Sequence, residues 1–407
     1  MLTRTCRVVL FEIMKTLCLS LFAIVVLIDP LSAAPPEFKW KEVEIDQIEI
    51  GYGLQLVDVD GDGKTDILLA DKSTIQWYQN PGWEKHVIAR DLTKRDNVCI
   101  AARDIDGDGK CEIAVGGQWN FLETMKDGAV FYLMAPEDRT QRWTPVALKH
   151  EPSTHRMHWI RGAADGEFTL VVKPLRGKGS VDGVGPGLKM LEYFKPTDPA
   201  TAESWKTREI SDFLHLSHNF HPVNWDDDPE EELIVAAKEG VWHFDRKEGE
   251  WKGTQLTEDF AGEIRDGKLP SGKRFIATVE PMHGTRSAVY VEPESGKGLW
   301  PQLTVLDDAL KDGHALAVAD YLGVGSDQIV VGWRAMHPKE VPGEPGIKLF
   351  TPMDEAGNTW RETKVSGSEV AVEDIKAADL NGDGRPDIVA AARQTKNLRI
   401  FFAEPGE

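Results

Sequence analysis

The chain alternates between short apolar segments and turns that are rich in Asp and Gly. Residues 57–70 read VDVDGDGKTDILLA, in which an acidic turn is followed at once by an apolar run. Apolar runs of this length between such turns are typical of strands rather than helices. The pattern predicts two strands joined by an acidic loop. It recurs at residues 103–116 and 378–391, and a weaker copy stands at 223–236.

A second repeat, marked by tryptophan, sets the size of the repeating unit. A Trp that opens a short strand of alternating polarity occurs at seven places, namely Trp40, Trp83, Trp143, Trp205, Trp251, Trp300 and Trp360. With the acidic hairpin and a third segment such as residues 129–133, each period of roughly 45–60 residues holds four strands. Four antiparallel strands per repeat predict the blade of a β-propeller.

The two ends of the chain complement each other in this pattern. The segments at 388–393 and 398–402 are not followed by a Trp strand, whereas the strand at Trp40 has no blade of its own. We therefore expect the N-terminal strand to complete the last blade, which closes the ring without free edges. The prediction is an all-β fold, a seven-bladed β-propeller with four-stranded blades over residues 38–404. Eight blades are disfavoured because the Trp strand occurs seven times.

The acidic loops carry the ligand pattern of a calcium site. In the first loop the oxygen donors are Asp58, Asp60, Asp62, the carbonyl of Lys64, and Asp66 at the ninth position. Ca²⁺ prefers six to eight hard oxygen ligands, and glycine lets the chain wrap this tightly. An EF-hand is disfavoured because it needs flanking helices and a Glu at position twelve.

Three to four structural Ca²⁺ sites are therefore predicted. The corresponding ligands in the other loops are Asp104, Asp106, Asp108, Lys110, Glu112, Asn224, Asp226, Asp228, Glu232, Asp379, Asn381, Asp383, Arg385 and Asp387. A carboxylate-rich turn without a metal remains the alternative. The third, fifth and sixth blades, at residues 161–167, 263–269 and 320–326, lack the carboxylate series.

Residues 1–33 have the order of a secretory signal. A basic start precedes an apolar run at 17–28 and small residues before Pro35. Met14, followed by Lys15, is an alternative translation start. The apolar run is short for a membrane span. A secreted or periplasmic protein without a membrane span is expected.

Charge and cysteine content argue against a nucleic-acid-binding protein and against a disulfide-stabilised one. The formal net charge of −20 would repel the phosphates of a nucleic acid. Outside the signal segment only Cys99 and Cys111 remain. If residues 104–112 join two antiparallel strands, Cys99 lies opposite about residue 116, several steps of about 3.3 Å from Cys111. We expect two buried thiols and no disulfide framework.

The acidic loops and the apolar strands that follow them resemble FG-GAP or VCBS repeats over residues 38–404. This resemblance implies a propeller like those of integrins and secreted bacterial proteins, but it is weakly informative about function. Function is therefore sought in positions that differ between blades. If the acidic loops lie on one face, the start of each first strand and the end of each second strand surround the channel on the other.

Basic residues recur where the second strands end. The aligned positions are Lys72, Gln118, Lys238, Arg334 and Arg393, with Lys173 and Arg176 nearby in the third blade. Ordinary surface side chains are one explanation. Their alignment on one face of an acidic protein instead favours an anionic ligand, or an oxyanion formed in a reaction. Trp119, beside Gln118, is suited to stacking on a sugar ring.

Histidines recur at the start of the first strands. They are His155 and His158 in the third blade, His218 and His221 in the fourth and His314 in the sixth, and His283 follows the second strand of the fifth. Residues three apart in a strand point to opposite faces, so one His of each HxxH pair is expected to face the channel. Such histidines can bind Zn²⁺ or another divalent ion, or act as acid and base. The sequence leaves both open.

The HxxH strands, the segment VVKPLRGKG at 171–179 and the basic strand ends resemble the propeller of the aldos-2-ulose dehydratase family. That family eliminates water from keto-sugars such as anhydrofructose, and the positions that match are His155, His158, His218, Lys173 and Arg176. The residues predicted as catalytic are His155, His158, His218, His221, His314, Lys173, Lys238 and Arg334. Those predicted to bind substrate are Lys72, Gln118, Trp119, Arg176, His283 and Arg393.

Two functions remain open. The first is a carbon–oxygen lyase for a keto-sugar or acidic sugar, in which a His abstracts a proton beside a carbonyl and a metal ion or a basic side chain stabilises the enolate. The second is a non-catalytic propeller that binds carbohydrate or protein. The expected ligand is a small molecule or an oligosaccharide, and the closed ring is expected to be monomeric.

Overall fold

The computed structural model describes residues 38–164, 166–226, 228–247, 249–336 and 343–405. These residues form seven antiparallel sheets of four strands each, within one compact unit. The predicted signal segment at 1–33 lies outside the described residues. In the part of the chain described, no helix is long and apolar enough to cross a membrane.

Each blade uses four strands in chain order, and the last blade borrows the first strand of the chain. The first strand is β1 Phe38–Gln47. Blade 1 contains β2 Gly53–Val57, β3 Asp66–Ala70, β4 Thr74–Gln79 and β5 Glu84–Arg90. Blade 2 contains β6 Cys99–Arg103, β7 Glu112–Gly117, β8 Ala129–Met134 and β9 Thr144–Leu148. Blade 3 contains β10 Thr154–Arg161, β11 Phe168–Pro174, β12 Met190–Phe194 and β13 Lys206–Ser211, with a short 3₁₀ helix at Ala202–Ser204.

The second half of the ring follows the same plan. Blade 4 contains β14 Phe220–Val223, β15 Glu232–Ala237, β16 Gly240–Lys247 and β17 Glu250–Gln255. Blade 5 contains β18 Glu263–Lys268, β19 Arg274–Glu280, β20 Arg286–Val291 and β21 Gln302–Asp307. Blade 6 contains β22 Gly313–Ala319, β23 Gln328–Trp333, β24 Gly346–Pro352 and β25 Trp360–Ser366. Blade 7 contains β26 Val372–Ala378, β27 Asp387–Ala392, β28 Asn397–Pro405 and β1.

The ring closes as the sequence predicts. Strand β1 pairs antiparallel with β28, so that Trp40 lies opposite Ala403 and Val43 opposite Ile400. The pairing gives blade 7 its fourth strand and covers the edge that β28 would otherwise expose. The other Trp segments supply the fourth strands of blades 1 to 6, as expected.

The hydrophobic core lies between blades rather than within one sheet. Leu68 and Trp77 of blade 1, for example, pack with Ile100 and Ile113 of blade 2, all of them buried. Burial of side chains of this size contributes about 1.5–3 kcal/mol each. Cys99 and Cys111 are buried and free, and Cys99 lies opposite Gly116, both as predicted.

Blade 5 differs from the sequence prediction in one respect. Residues 263–269 were expected to form its loop, but β18 covers Glu263–Lys268, and residues 269–273 connect it to β19. Glu263 is tolerated inside this strand because its carboxylate receives hydrogen bonds from His218 and Asn219, each at 2.7 Å. A buried charge with such donors does not need to lie in a solvated loop.

Candidate active site at the channel mouth

First strands of neighbouring blades contact one another and surround the central channel. At the end of the channel where these strands begin lies a cavity of about 300 Å³. We call it the mouth cavity, and it is lined by Tyr52, Trp119, Phe121, His155, Arg156, His218, His283, His314, Arg334, Met336, Glu373 and Arg393. It combines side chains from all seven blades in one place.

Irregular strand starts aim three of these side chains into the cavity. The strand ladder shifts register between Thr154 and Arg156, and again between the residues on either side of His314 and of Glu373. A β-bulge adds one residue to a strand and re-aims its side chain, and bulges are common beside active sites. The bulge around His155 also explains why His155 and Arg156, although adjacent, both border the cavity.

Hydrogen bonds fix the tautomers of three imidazoles. The Nδ1 atom of His155 donates to the backbone oxygen of His218 at 3.1 Å, and that of His314 donates to the backbone oxygen of Glu373 at 2.6 Å. The Nδ1 atom of His218 donates to the buried Glu263 carboxylate at 2.7 Å. A neutral imidazole that donates through Nδ1 keeps its lone pair on Nε2. All three rings therefore present an acceptor nitrogen.

Burial keeps these rings neutral. It lowers the pKa of His155, His218 and His314 well below the usual range. The guanidinium of Arg156 lowers the pKa of all three further, and that of Arg334 lowers the pKa of His218 and His314. Neutral imidazole is the form that accepts a proton or binds a metal ion.

Three histidines from blades 4, 5 and 6 form a candidate metal centre. One ligand atom from each of His218, His283 and His314 lies within 4.8 Å of the others. Zn²⁺ favours sets of three imidazoles in catalytic sites, and the carboxylate behind His218 is the usual outer partner of a metal-binding histidine. His218 and His314 have the required tautomer. The Nδ1 atom of His283 instead faces Nη2 of Arg334 at 3.1 Å.

Arg156, which sequence reasoning missed, lies among the same histidines. Its Nη1 atom is 3.5 Å from Nε2 of His155, and its Nη2 atom is 3.4 Å from Nε2 of His218. A single sequence contains one signal for it, the basic residue inside the first HxxH motif. The side chain of Arg156 points into the cavity because of the bulge at His155, and the alternation of residues along the strand does not reveal a bulge.

A buried ion cluster forms part of the wall of the mouth cavity. Arg334 binds Asp312 in bidentate fashion, at 3.1 and 3.0 Å, and binds Glu373 at 2.9 Å. Arg393 reaches the other oxygen of Glu373 at 3.1 Å and the hydroxyl of Tyr52 at 3.4 Å. Arg334 and Arg393 are thus held in place, as a rigid binding wall requires.

The loop at residues 118–127 lines the cavity with Trp119 and Phe121, and it is held by a second loop at 175–189. In residues 118–127, Thr124 donates its hydroxyl to the backbone oxygen of Ser180 at 3.1 Å, and the guanidinium of Arg176 lies 4.2 Å from the centre of the Phe121 ring. The Trp119 ring is 4.8 Å from that of His155. Trp119 and Phe121 offer aromatic faces next to the imidazoles, the arrangement expected of a platform for a sugar ring.

Other predicted site residues lie outside the lining of the mouth cavity. Lys173 is fully buried and donates to the backbone oxygen of Ser217 at 2.5 Å, so it supports the segment that carries His218. Lys238 reaches the backbone oxygen of Gly183 at 3.3 Å. Lys72 pairs with Glu49 at 3.4 Å, and Gln118 donates to Asp127 at 3.3 Å. These contacts are structural.

The second His of each HxxH motif does not pack away from the channel, in contrast to the expectation. His158 and His221 both line a second cavity, deeper in the channel. In the case of His155 and His158, the bulge adds one residue between the two side chains and cancels the alternation. His218 precedes β14, so strand alternation does not apply to its pair.

The opposite face carries the acidic loops. Three carboxylates approach within 4.8 Å of one another in each of blades 1, 2 and 4, the sets being Asp58, Asp60 and Asp62; Asp104, Asp106 and Asp108; and Asp226, Asp228 and Glu232. Gly61 and Gly63 adopt φ values of 83° and 81°, which favour glycine. Such groups suit Ca²⁺, and Ca²⁺ in these loops stays a prediction.

Acids at the ninth loop position brace the loops. Asp66 is buried and accepts backbone N–H groups from Val59 at 3.0 Å and Asn80 at 2.9 Å. Asp387 does the same with Leu380 and Ala403, each at 3.0 Å. Burial, reinforced by neighbouring carboxylates, raises the pKa of Asp66 to about 7 and that of Asp387 to about 6.

Fold and site define a seven-bladed β-propeller with a histidine-rich mouth. Residues 58–115 match the FG-GAP-like repeat family. Residues 127–293 match the family described as the β-propeller domain of aldos-2-ulose dehydratase. Both resemblances predicted from the sequence are confirmed.

Comparison with whole proteins points the same way. The chain is 24% identical over 372 residues to aldos-2-ulose dehydratase of Phanerodontia chrysosporium; the match covers 82% of this chain and 39% of that protein. The chain therefore spans well under half the length of this relative.

Solved structures support the fold alone. BBS1N in complex with ARL6DN aligns with a TM-score of 0.55 at 15% identity, covering 89% of this chain and 96% of that chain. A chain of the mitotic checkpoint complex aligns with a TM-score of 0.55 at 12% identity, covering 90% and 91%.

Proposed function

We propose that this propeller is a carbon–oxygen lyase that removes water from a keto-sugar or an acidic sugar at the mouth cavity. One observation carries the proposal: His155, His218 and His314 are neutral, buried and fixed by their Nδ1 bonds, so that each presents Nε2. Arg156 contacts Nε2 of His155 and of His218 at 3.5 and 3.4 Å, which is long for a hydrogen bond, so a substrate can replace it at these nitrogens. The likeness to an aldos-2-ulose dehydratase supports a sugar substrate.

A divalent transition metal fits the histidines of blades 4 to 6. His218, His283 and His314 would hold it, with Glu263 orienting His218. When bound, such an ion would polarise a carbonyl oxygen of the substrate. A ligand role for His283 requires that its hydrogen bond with Arg334 be exchanged or that Nε2 lose its proton.

His155 is the proposed base. Its Nε2 atom takes the proton from the carbon beside the carbonyl, and the electron pair of that C–H bond becomes the double bond of an enolate. Arg156 and Arg334, both at the cavity wall, stabilise the negative charge on the oxygen. The enolate then re-forms the carbonyl, and its electron pair makes a new double bond between the deprotonated carbon and the next carbon along the chain. The C–O bond of the hydroxyl on that next carbon breaks, and the hydroxyl takes the proton from His155 and leaves as water. One imidazole thus acts as base and then as acid.

The test is elimination activity with a matched control. Wild-type protein loaded with Zn²⁺ is incubated with anhydrofructose or an aldos-2-ulose, and the ultraviolet absorbance of the unsaturated ketone is followed. Replacing His155 with Gln should lower the rate about 10²–10⁴-fold. The control is His86→Gln, because His86 packs on Trp77 in the outer part of blade 1. No turnover by wild type on any keto-sugar or uronic acid tested would contradict the proposal.

A second function is favoured by the position of Arg156. Its guanidinium faces the Nε2 atoms of both His155 and His218, where it would compete with a metal ion and where it suits a carboxylate ligand. The alternative is therefore a binding propeller that captures an acidic sugar without converting it. Saturable binding of a uronic acid, unaffected by chelation and without turnover, would select it.

Three further properties belong to the same proposal. Ca²⁺ in the acidic loops would brace the blades, since ligand oxygens already converge in three of them. Export through the segment at 1–33 would place the protein outside the cytoplasm. A closed ring requires no partner strand, which favours a monomer. Calcium analysis, N-terminal sequencing of the exported protein and sedimentation test these in turn.

A further inference from the structure

A second cavity lies on the channel axis. It has a volume of about 280 Å³, and we call it the axial cavity, defined by the polar residues Gln55, Arg103, His158, His221, Arg265 and Lys376. Arg156 borders both the mouth cavity and a void of about 20 Å³, and His158 and Lys376 border both that void and the axial cavity. The two cavities are therefore separated by a narrow neck.

The charged residues that line the axial cavity are basic. Arg103, Arg265 and Lys376 contribute three cations, and no carboxylate is among the described residues that border it. Arg103 is compensated by Glu231 at 2.6 Å and Lys376 by Asp374 at 3.2 Å. The protein as a whole carries a net charge of −20, so this concentration of positive charge is local.

Arg265 is the least compensated of the three. Its side chain is 9% exposed, and the nearest carboxylate, Glu263, is 3.9 Å away. The two oxygens of Glu263 already accept hydrogen bonds from His218 and Asn219. Arg265 itself donates to the backbone oxygen of Ile264. A buried guanidinium without a close carboxylate is costly, and an oxyanion is its natural complement.

The positive charges around the axial cavity also affect its two histidines. Burial lowers the pKa of His158 and His221, and the charges of Lys376 and Arg265 lower it further for both rings. The nearest carboxylate to His221 is Asp266, at 3.8 Å from Nε2. Neutral imidazoles can donate hydrogen bonds to an anion without repelling it.

We propose that the axial cavity is a binding site for one small oxyanion, a phosphate or carboxylate group, held by Arg265 and Lys376 and assisted by His158 and His221. The volume lies at the lower end of small-molecule pockets, which suits inorganic phosphate or a single sugar acid. The inference is independent of dehydration at the mouth cavity, because it uses different residues at a different depth of the channel.

Calorimetry with two probes tests it. Inorganic phosphate and D-glucuronate are each titrated into wild-type protein, and into Arg265→Gln and Lys376→Met. Either charge removal should weaken binding about tenfold or more, the loss expected for a charged hydrogen bond. Lys252→Met, which removes an exposed cation on the outer strand β17, should leave this binding unchanged. Binding of phosphate alone assigns a phosphorylated ligand, and binding of glucuronate alone a carboxylated one.

The outcomes are decisive even if a variant does not fold. No saturable binding by wild type overturns the proposal, as does binding that neither Arg265→Gln nor Lys376→Met weakens, or that all three variants weaken to the same extent. Thermal melting identifies variants that fail to fold. If a variant fails to fold, crystals of the wild-type protein soaked in selenate show whether an oxyanion binds in the axial cavity. An anomalous peak within hydrogen-bond distance of Arg265 supports the site, and its absence refutes it.

Discussion

The two faces of the ring are built on opposite principles. On the loop face, blades repeat one another: Asp58 accepts the N–H groups of Gly61 and Gly63, each at 2.7 Å, and Asp379 accepts those of Gly382 and Gly384, at 2.7 and 2.8 Å. On the mouth face, blades differ, and each contributes another side chain to one cavity. Repetition indicates a shared structural task, whereas a lack of repetition among converging residues indicates a ligand that has no sevenfold symmetry.

The mouth face concentrates buried charge, so its disruption should have the largest effect. Asp312→Asn keeps the shape of the side chain but leaves Arg334 with one of its two carboxylate partners. Breaking a buried ion pair costs about 3–5 kcal/mol, and we expect a loss of unfolding free energy of this order in urea denaturation.

The matched control is Glu49→Gln, which removes an exposed pair with Lys72 at 3.4 Å. Exposed pairs contribute about 0–1 kcal/mol. Equal losses in the two variants would mean that the mouth cluster is no more important to stability than the surface, and the contrast between the faces would fail.

The loop face should respond to calcium, and two similar loops offer a matched pair. Asp58 of blade 1 and Asp320 of blade 6 both accept two backbone N–H groups from their loops, but only Asp58 begins a carboxylate series. Asp58→Asn should remove one Ca²⁺ per chain and, at free Ca²⁺ of about 100 times Kd, about 2.7 kcal/mol of calcium-dependent stability. Asp320→Asn should leave the calcium content unchanged.

Elemental analysis and thermal melts with and without chelator measure both quantities. The loops would be metal-free turns if wild-type protein purified in calcium-containing buffer carried no calcium. The same would follow if its melting temperature were equal with and without chelator.

The sequence revealed these two faces unequally, for a physical reason. Loops that repeat can be read from spacing, so the strands, the closure by β1 and the acid positions were predictable. Of the mouth residues, Trp119, His155, His218, His283, His314, Arg334 and Arg393 were predicted to contribute to the site, and they line the cavity. Arg156, Glu263 and Asp312 were not, because their roles depend on a bulge and on contacts between blades, which residue spacing within one strand does not encode.

The pH dependence of calcium stabilisation distinguishes the faces further. In the calcium-free protein, burial raises the pKa of Asp66 and Glu112 to about 7, above their ordinary values of 3.8 and 4.5. The folded state then favours their protonated forms, so this contribution is present at low pH and is lost as the pH rises towards about 7. Ca²⁺ favours the ionised forms, and the gain in melting temperature on adding Ca²⁺ should therefore grow between about pH 5 and pH 8.

The histidines of the mouth face change stability in the opposite sense, because their lowered pKa values make the fold weaker as the pH falls below about 6.5. Their contribution is common to calcium-loaded and calcium-free protein and cancels in the difference. If the rise in melting temperature on adding Ca²⁺ does not vary with pH, the acids at the ninth loop position do not take part in cation binding.

The smallest effect is expected where sequence and structure disagree about a basic residue. Lys238 aligns with Arg334 at the end of a second strand, and alignment alone predicts equal roles for the two. In the structure Arg334 is buried in the mouth cavity, whereas Lys238 is exposed and tethers the backbone of Gly183 at 3.3 Å. Lys238→Met should change turnover or ligand affinity by no more than about twofold, the size of a weak surface contact, whereas Arg334→Met should abolish either activity. If the two variants lose function equally, the loop held by Lys238 closes over the ligand, and the mouth face extends beyond the cavity that its buried residues define.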